Sequence, residues 1–318
     1  MKQDRQPDCK PVIVCADDFA IHAGASLGIA ALARSARISA TSAMVLSGRW
    51  SQDAPLLKDL PQAIDVGLHL DWTSDFAKAS GHGMSLGAAM AKAALGGFGR
   101  GAAAQATRAV IERQLDAFEA HWQAPPDHVD GHQHVHQFAG IREALVQALV
   151  ARYGTGHRSI VTASAARQSM HGSPQAFGLR DDETDKRSGC LTYLRTSRAP
   201  LGHANLKSRI IAAMGADALE KLAVQAGLSV ATALLGIYDF AGDQRRYAAL
   251  MAGWLRAAPA AGIIMCHPSQ QAPPGDDFGL ACARELAYLG SADFAQALAD
   301  ARVQLVRGSL CLSKHPAR

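Results

Sequence analysis

PVIVCADDFA (residues 11–20) begins with the apolar run PVIVCA (11–16), rich in β-branched residues, which two adjacent carboxylates follow. Its length and composition predict a buried strand. A helical segment near 22–34 follows, and then a second strand-like run, ISATSAMVL (38–46). Two strands separated by a helix indicate parallel pairing through a right-handed crossover.

The same alternation continues towards the end of the chain. Further predicted strands are AIDVGLHL (63–70), DHVDGHQH (127–134), RSIVTA (158–163), the apolar stretch 228–237, AGIIMC (261–266) and VQLV (303–306). Predicted helices lie near 51–59, 103–122, 138–152, 205–226, 244–257 and 279–300. About seven such units favour an α/β fold, a (β/α) barrel of parallel strands, over an open doubly wound sheet.

We expect a single domain over residues 1–318, with a flexible N-terminus of about ten residues. Two segments, 73–101 and 164–204, show weak periodicity and many Gly, Ala, Ser or charged residues. Irregular segments of this length in a compact domain are usually binding loops, so we expect both to lie at the active site.

Composition excludes several classes of protein. Lys and Arg number 32 against 28 Asp and Glu, and this excess is too small and too scattered to indicate nucleic-acid binding. The six cysteines form no CxxC pair, which argues against a zinc knuckle or a disulfide framework. The N-terminal MKQDRQPDCKP lacks the apolar stretch of a signal peptide, and no apolar run is long enough for a membrane span. We therefore expect a cytoplasmic protein.

Residues suited to metal or proton chemistry follow four predicted strands. They are Asp17 and Asp18 after the first, His69 and Asp71 in the third, Asp130, His132, His134 and His136 in the fourth, and His267 in the late strand. The carboxyl ends of parallel strands face one mouth, so the four groups are predicted to converge there.

Each group has an ordinary structural explanation when taken alone. An Asp pair often caps a helix, and a single His within VGLHL is more often a hydrogen-bonded core residue than a ligand. Three histidines within five residues are harder to explain by packing, because each buried imidazole needs partners. Together the groups favour a metal-dependent hydrolase.

The chemistry follows from the residue types. One carboxylate and two imidazoles leave open positions on Zn²⁺ or a similar divalent ion. A second carboxylate can take a proton from water, and a histidine across the pocket can protonate a departing amine. Asp17 and Asp18 point in opposite directions in a regular strand, so the backbone must turn there for both to face the pocket.

Four motifs resemble those of the YdjC/ChbG family of carbohydrate deacetylases: CADDFA, VGLHLDWT, HVDGHQHVH and IMCHPS, in this order. The resemblance extends from about residue 11 to residue 307. It implies a distorted (β/α) barrel that hydrolyses the N-acetyl group of an amino sugar or chitooligosaccharide. It also implies a divalent metal ion, magnesium or zinc, and a homodimer.

The resemblance also implies roles for single residues. The metal ligands would be Asp18, His69 and His132, the general base Asp17, the acid His267, a further ligand or proton partner His136, and supporting residues His134 and Asp130, the latter bracing His267 or a ligand. Three residues depart from the family's usual motifs: Ala20 and Ser269 stand where Gly is usual, and Asp71 where Asn is common. None of the three removes a ligand or the base.

The expected substrate contacts are Arg198, Trp72 and Tyr238. Arg198 matches an Arg-x-Pro element better than Arg195 does, although a surface arginine packing its stem on the barrel explains it equally well. Trp72 is suited to stacking on a sugar ring, and a buried aromatic at the edge of the core is nearly as good an interpretation.

Three functional hypotheses remain. The first is a sugar deacetylase, whose substrate is a glycan, a lipid-linked sugar or another N-acyl compound. The second is a barrel metallohydrolase for phosphoesters, which usually needs a richer two-metal ligand set. The third is a sugar- or metal-binding protein without catalysis, against which the paired Asp17 and His267 argue.

Overall fold

The computed structural model describes residues 9–154, 192–270 and 276–312. The strands in these ranges are β1 (Lys10–Phe19), β2 (Ala40–Ala43), β3 (Asp65–Leu70), β4 (His128–Gly131), β5 (Tyr193–Leu194), β6 (Leu234–Leu235), β7 (Gly262–Cys266) and β8 (Val303–Leu305). Every pairing among them is parallel, and they form one sheet in the order β5-β4-β3-β2-β1-β7-β6, with β8 beside β1. The predicted α/β barrel class is confirmed.

The sheet curls so that its two ends meet. Leu194 in β5 forms a parallel bridge with Val230, just before β6. The barrel is distorted at β1, whose residues 10–12 pair with β8 whereas residues 12–16 pair with β7. Going around the barrel, β1 to β7 therefore follow one another in chain order.

Helices separate the strands and cover the outside of the sheet. They are α1 (Ala23–Arg34), α2 (Trp50–Asp53), α3 (Pro55–Lys58), α4 (Asp75–Ala79), α5 (Leu86–Ala94), α6 (Gly101–Trp122), α7 (Ile141–Tyr153), α8 (Leu206–Ala213), α9 (Ala216–Gln225), α10 (Gln244–Ala257), α11 (Asp277–Leu289), α12 (Ala292–Asp300) and α13 (Gly308–Cys311). No helix in the described ranges is long and apolar enough to cross a membrane.

The prediction of an irregular loop over residues 73–101 is wrong, since α4 and α5 lie within this segment. Each helix is preceded by an N-cap serine, Ser74 or Ser85, whose side chain accepts hydrogen bonding from backbone N–H of the first turn. Such N-caps stabilise short helices that hydrophobic periodicity does not reveal. The predicted strand 158–163 and most of the predicted loop 164–204 lie outside the described residues.

Side chains of β1 alternate between two apolar layers. Val12 and Val14 pack into the larger core under the helices, whereas Ile13 and Cys15 belong to a smaller cluster inside the barrel. This period of two places the next odd-numbered residue, Asp17, inside the barrel at its carboxyl end.

Candidate active site

The end of β1 turns so that two successive aspartates serve one pocket. The pairing of β1 with β2 becomes irregular between Ala16 and Phe19, and Asp18 has a φ of 66°. This left-handed conformation supplies the turn expected from the sequence. Ala20 also has a positive φ, 69°, which explains why glycine suits this position and indicates strain of about 1 kcal/mol or more for alanine.

His69 near the end of β3 is held by a buried carboxylate. Its Nδ1 lies 2.6 Å from Asp130 Oδ1, and the two residues are paired across β3 and β4. The other ring nitrogen, Nε2, lies 3.5 Å from Asp18 Oδ1, on the side of the imidazole that a metal ion would occupy once the Nε2 proton has left. A carboxylate behind a histidine in this way fixes the tautomer and orientation of a metal ligand.

His132 begins the segment that follows β4. Residues His132–Gln137 form a 3₁₀ segment interrupted by left-handed backbone at Gln133 and His134. The Nδ1 atom of His132 lies 3.1 Å from Asp18 Oδ1, and its side chain is 19% exposed. The predicted strand 127–134 therefore ends early, at Gly131, and His132 turns towards Asp18.

Asp18, His69 and His132 present one ligand atom each, and these atoms lie within 4.8 Å of one another. A carboxylate oxygen with two imidazole nitrogens is a donor set that suits Zn²⁺ and related divalent ions. The partial exposure of His132 leaves a side for water and substrate. These three residues therefore fit a divalent metal ion.

Two other groups of potential ligands exist among the described residues: Cys15 with His128 and Asp130, and Asp17 with His69 and Asp130. Both contain Asp130, which is already 2.9 Å from Arg195 Nη1. A guanidinium bonded to a shared ligand opposes a cation there. The Asp18 group has no such competitor in the described structure and suits a cation best.

Asp17 lies between Arg195 and His267. Arg195 Nη1 donates to both Asp17 oxygens, at 2.6 and 2.9 Å, and the arginine is 1% exposed. His267 Nε2 lies 3.9 Å from Asp17 Oδ2. The expected base and acid are thus neighbours, and the expectation that His267 stands across the pocket from Asp17 is wrong.

Burial and neighbouring charges shift the pKa values of several groups in the pocket. Burial favours the neutral form of Asp18, but His132, His69 and His267 outweigh it and lower the pKa of this carboxyl. For His69, burial lowers the pKa, yet the Asp130 carboxylate overrides it and raises the pKa to about 9. Burial raises the pKa of Asp130, and Arg195 and His69 reverse this to bring it well below its ordinary value.

The remaining histidines of the cluster do not join the Asp18 group. His136 is fully buried, and its Nε2 donates to the Arg195 carbonyl at 2.9 Å. His134 Nδ1 lies 3.2 Å from Ser197 Oγ. Burial, followed by the charge of Arg195, lowers the pKa of both imidazoles, that of His136 to about 4.

Asp130 was expected to brace either His267 or a metal ligand. It is hydrogen-bonded to His69, which is one of the expected ligands. Arg195 was missed as a central residue because it stands three positions from Arg198 in the same run. No sequence signal marked it, because Arg195 fell within the loop predicted over 164–204 and β5, which ends just before it, is only two residues long.

Two of the three expected substrate contacts, Trp72 and Tyr238, are buried. Trp72 is 2% exposed and packs against Phe98 and His82, so its ring has no face for a sugar. Arg198 is 48% exposed and its Nη2 lies 2.6 Å from Glu220 on α9, so its contact with substrate stays a prediction.

Tyr238 is buried, and its hydroxyl donates to Glu285 at 2.7 Å. The second oxygen of Glu285 accepts the backbone N–H of His267 at 2.6 Å. Burial raises the pKa of this carboxyl. Tyr238 and Glu285 therefore hold the backbone that carries His267 instead of lining the mouth.

The chain is similar in sequence to known proteins. Residues 11–300 match the family described as YdjC-like protein. The chain is 31% identical over 139 residues to a chitooligosaccharide deacetylase of Proteus mirabilis (strain HI4320), an alignment of 41% of this chain and 51% of the relative. It is 30% identical over 152 residues to a chitooligosaccharide deacetylase of Serratia marcescens, covering 44% and 56% of the two chains. The alignments thus span about half the length of these relatives.

A solved structure shares the fold. It is described as a putative cellobiose-phosphate cleavage protein from Enterococcus faecalis V583, and it superimposes with a TM-score of 0.58 over 96% of this chain and 100% of the other. Sequence identity is 16%, so this likeness concerns the fold alone.

Proposed function

Because the chain belongs to the YdjC-like family, we propose that it is a metal-dependent carbohydrate deacetylase that releases acetate from an N-acetylated amino sugar or a chitooligosaccharide-like glycan. The names of the Proteus and Serratia relatives support this substrate class. The homodimer expected from the family resemblance stays a prediction.

One observation carries the proposal: three metal-suited ligand atoms within 4.8 Å of one another, beside an acid–base pair. Asp18, His69 and His132 would hold Mg²⁺ or Zn²⁺. Asp17 lies next to this group, since a carboxylate oxygen of Asp17 is within 4.8 Å of a ring nitrogen of His69. Binding alone would not require both Asp17 and His267 at this place.

When bound, a divalent cation would polarise the acetyl carbonyl and lower the pKa of water. Asp17 is the proposed general base, which takes the proton of the attacking water on a carboxylate oxygen. The water oxygen bonds to the acetyl carbon, and the bond between that carbon and the amide nitrogen breaks. Nε2 of protonated His267 gives its proton to the departing nitrogen, which leaves acetate and a free amine.

Arg195 and Asp130 position these groups. The contact from Arg195 uses one lone pair on each Asp17 oxygen, and a carboxylate has about four such positions, so Asp17 can still accept a proton. Asp130 holds His69 with Nε2 towards Asp18. Arg195 contacts both Asp17 and Asp130. It therefore connects the proposed base with the carboxylate that holds the proposed metal ligand His69.

The test is acetate release from N-acetylglucosamine oligomers, measured with zinc- or magnesium-loaded protein and after treatment with a chelator. We expect release that is lost with the metal and restored by adding it. Release that survives stringent metal removal would contradict the mechanism. Tight sugar binding by metal-loaded protein without any acetate would favour a binding protein instead.

A further inference from the structure

Two phenylalanines border the proposed acid. The ring centroids of Phe240 and Phe278 lie 5.6 and 5.8 Å from that of His267, and they are 4.9 Å from each other. We call Phe240 and Phe278 the aromatic wall. All three rings meet edge to face, so the wall forms one side of the imidazole's surroundings.

The inner member of the wall is fixed by its surroundings. Phe240 has a φ of 60°, and its carbonyl accepts a hydrogen bond from Arg284 Nη2 at 2.8 Å. Lys207 Nζ lies 4.8 Å from the centre of the Phe240 ring and donates to the Tyr238 carbonyl at 2.8 Å. A non-glycine residue in this left-handed region is strained, and such strain clusters at functional sites.

The outer member of the wall is open. Phe278, in the first turn of α11, is 44% exposed, whereas the expected sugar platforms Trp72 and Tyr238 are 2% and 6% exposed. Across residues 9–154, 192–270 and 276–312, no other Phe, Tyr or Trp is as exposed to solvent as Phe278. Among the described residues, Phe278 is therefore the most open aromatic side chain near His267.

We propose that the exposed ring of Phe278 is a binding platform for the sugar ring that carries the N-acetyl group. The inference rests on the proposed function, because a nitrogen that receives the His267 proton brings its attached sugar carbon close to the neighbouring wall. A pyranose ring has a face of C–H groups, and aromatic side chains supply much of the apolar lining of small-molecule sites. The platform selects amides attached to a pyranose ring, whose C–H face it contacts, over amides on a flexible chain.

The test measures sugar binding separately from turnover. Diacetylchitobiose is titrated by calorimetry into zinc-loaded Asp17→Asn protein, alone and combined with Phe278→Leu, Phe278→Tyr or Leu310→Ala. Leu310 is the matched control, because it is 55% exposed and lies on α13, at the amino ends of the strands. We expect Phe278→Leu to weaken binding about fivefold, whereas Phe278→Tyr, which keeps the flat face, and Leu310→Ala leave it unchanged.

A second arm uses the catalytically intact protein. Phe278→Leu should lower kcat/KM for diacetylchitobiose by the same factor and leave kcat/KM for N-acetylethanolamine, which has no ring, as it was. If Phe278→Leu binds the disaccharide as well as the Leu310→Ala control does, the platform is overturned and the deacetylase proposal stands. If the unsubstituted protein releases no acetate and Asp17→Asn binds no N-acetylated sugar, both proposals are wrong.

Discussion

The two ends of the barrel use the same kinds of residue for different purposes. At the amino end, Asp65 opens β3, is fully buried, and accepts hydrogen bonds from Arg307 Nε at 2.8 Å, the Ser309 backbone N–H at 2.8 Å and the Tyr193 hydroxyl at 3.3 Å. At the carboxyl end, Asp130 in β4 is equally buried and is also bonded to an arginine, Arg195.

The difference lies in what surrounds each pair. Around Asp65, Arg307 and Ser309 come from the chain that follows β8 and Tyr193 comes from β5, so these contacts hold the end of the chain at the amino ends of the strands. Around Asp130 the contacts lead outward, through His69 to Asp18 and through Arg195 to Asp17. A buried aspartate–arginine pair thus stabilises the fold at one end and positions reactive groups at the other, as expected for the two faces of a (β/α) barrel.

The largest effect should come from the carboxyl end. Asp17→Asn removes the proposed base, and general-base catalysis is typically worth about 10²–10⁴-fold, so we expect turnover to fall about a thousandfold. The metal content, measured by mass spectrometry of the purified protein, should match that of the unsubstituted chain. Turnover close to normal would remove Asp17 from the chemistry.

The amino end should respond in stability instead. Asp65→Asn removes a buried carboxylate from its donors, while the partly exposed Arg307 keeps Asp127 nearby, so we expect a loss of about 1–3 kcal/mol in the free energy of unfolding. Urea denaturation measures this loss, and the turnover of the folded fraction should stay unchanged. A loss of turnover equal to that of Asp17→Asn would mean that the two ends are not separate in function.

Asp130→Asn sharpens the comparison, because Asp130 is the counterpart of Asp65. It removes the carboxylate behind His69, and loss of such support typically weakens metal affinity about 10–100-fold. Competition with a chelator measures the affinity for zinc, with Asp65→Asn as the control of equal burial. Equal affinities in the two variants would show that Asp130 is only a structural residue.

The most gradual effect concerns acid sensitivity at the carboxyl end. The pKa of His136 falls from 6.5 to about 4 in the folded state, so between these values the unfolded chain binds a proton that the folded chain does not. His136 therefore destabilises the fold as the pH drops through this window, by up to about 1.4 kcal/mol per pH unit.

His136→Gln should flatten this slope, because Gln does not titrate and retains an N–H group for the Arg195 carbonyl. Urea denaturation between pH 7 and pH 4 measures the slope, with the unsubstituted protein as reference. An unchanged slope would mean that other groups cause the acid sensitivity.

The sequence was most informative where one rule governs many residues. Regular alternation of strands and helices predicted the barrel, and the common mouth of parallel strands predicted that His69 and His132 would approach Asp18. The turn at Asp18 also followed from residue order, since two successive side chains of a strand cannot otherwise face one pocket.

The sequence was least informative where packing between distant segments decides. Trp72 carries the same aromatic signal whether it faces a sugar or the core, and only its contacts with Phe98 and His82 show that it is buried. Likewise, the segment TYLRTSRAP (192–200) contains two arginines that no local sequence pattern distinguishes. The strand β5 is too short to show by its periodicity that Arg195 points inward.

Anomalous diffraction from zinc-soaked crystals tests the central claim most directly, because the chain offers more than one group of potential ligands. The account predicts a single zinc peak bonded to Asp18, His69 and His132, with Asp17 beside it and outside the coordination sphere. A peak bonded to Cys15, His128 and Asp130, or one bonded to Asp17 instead of Asp18, would contradict it.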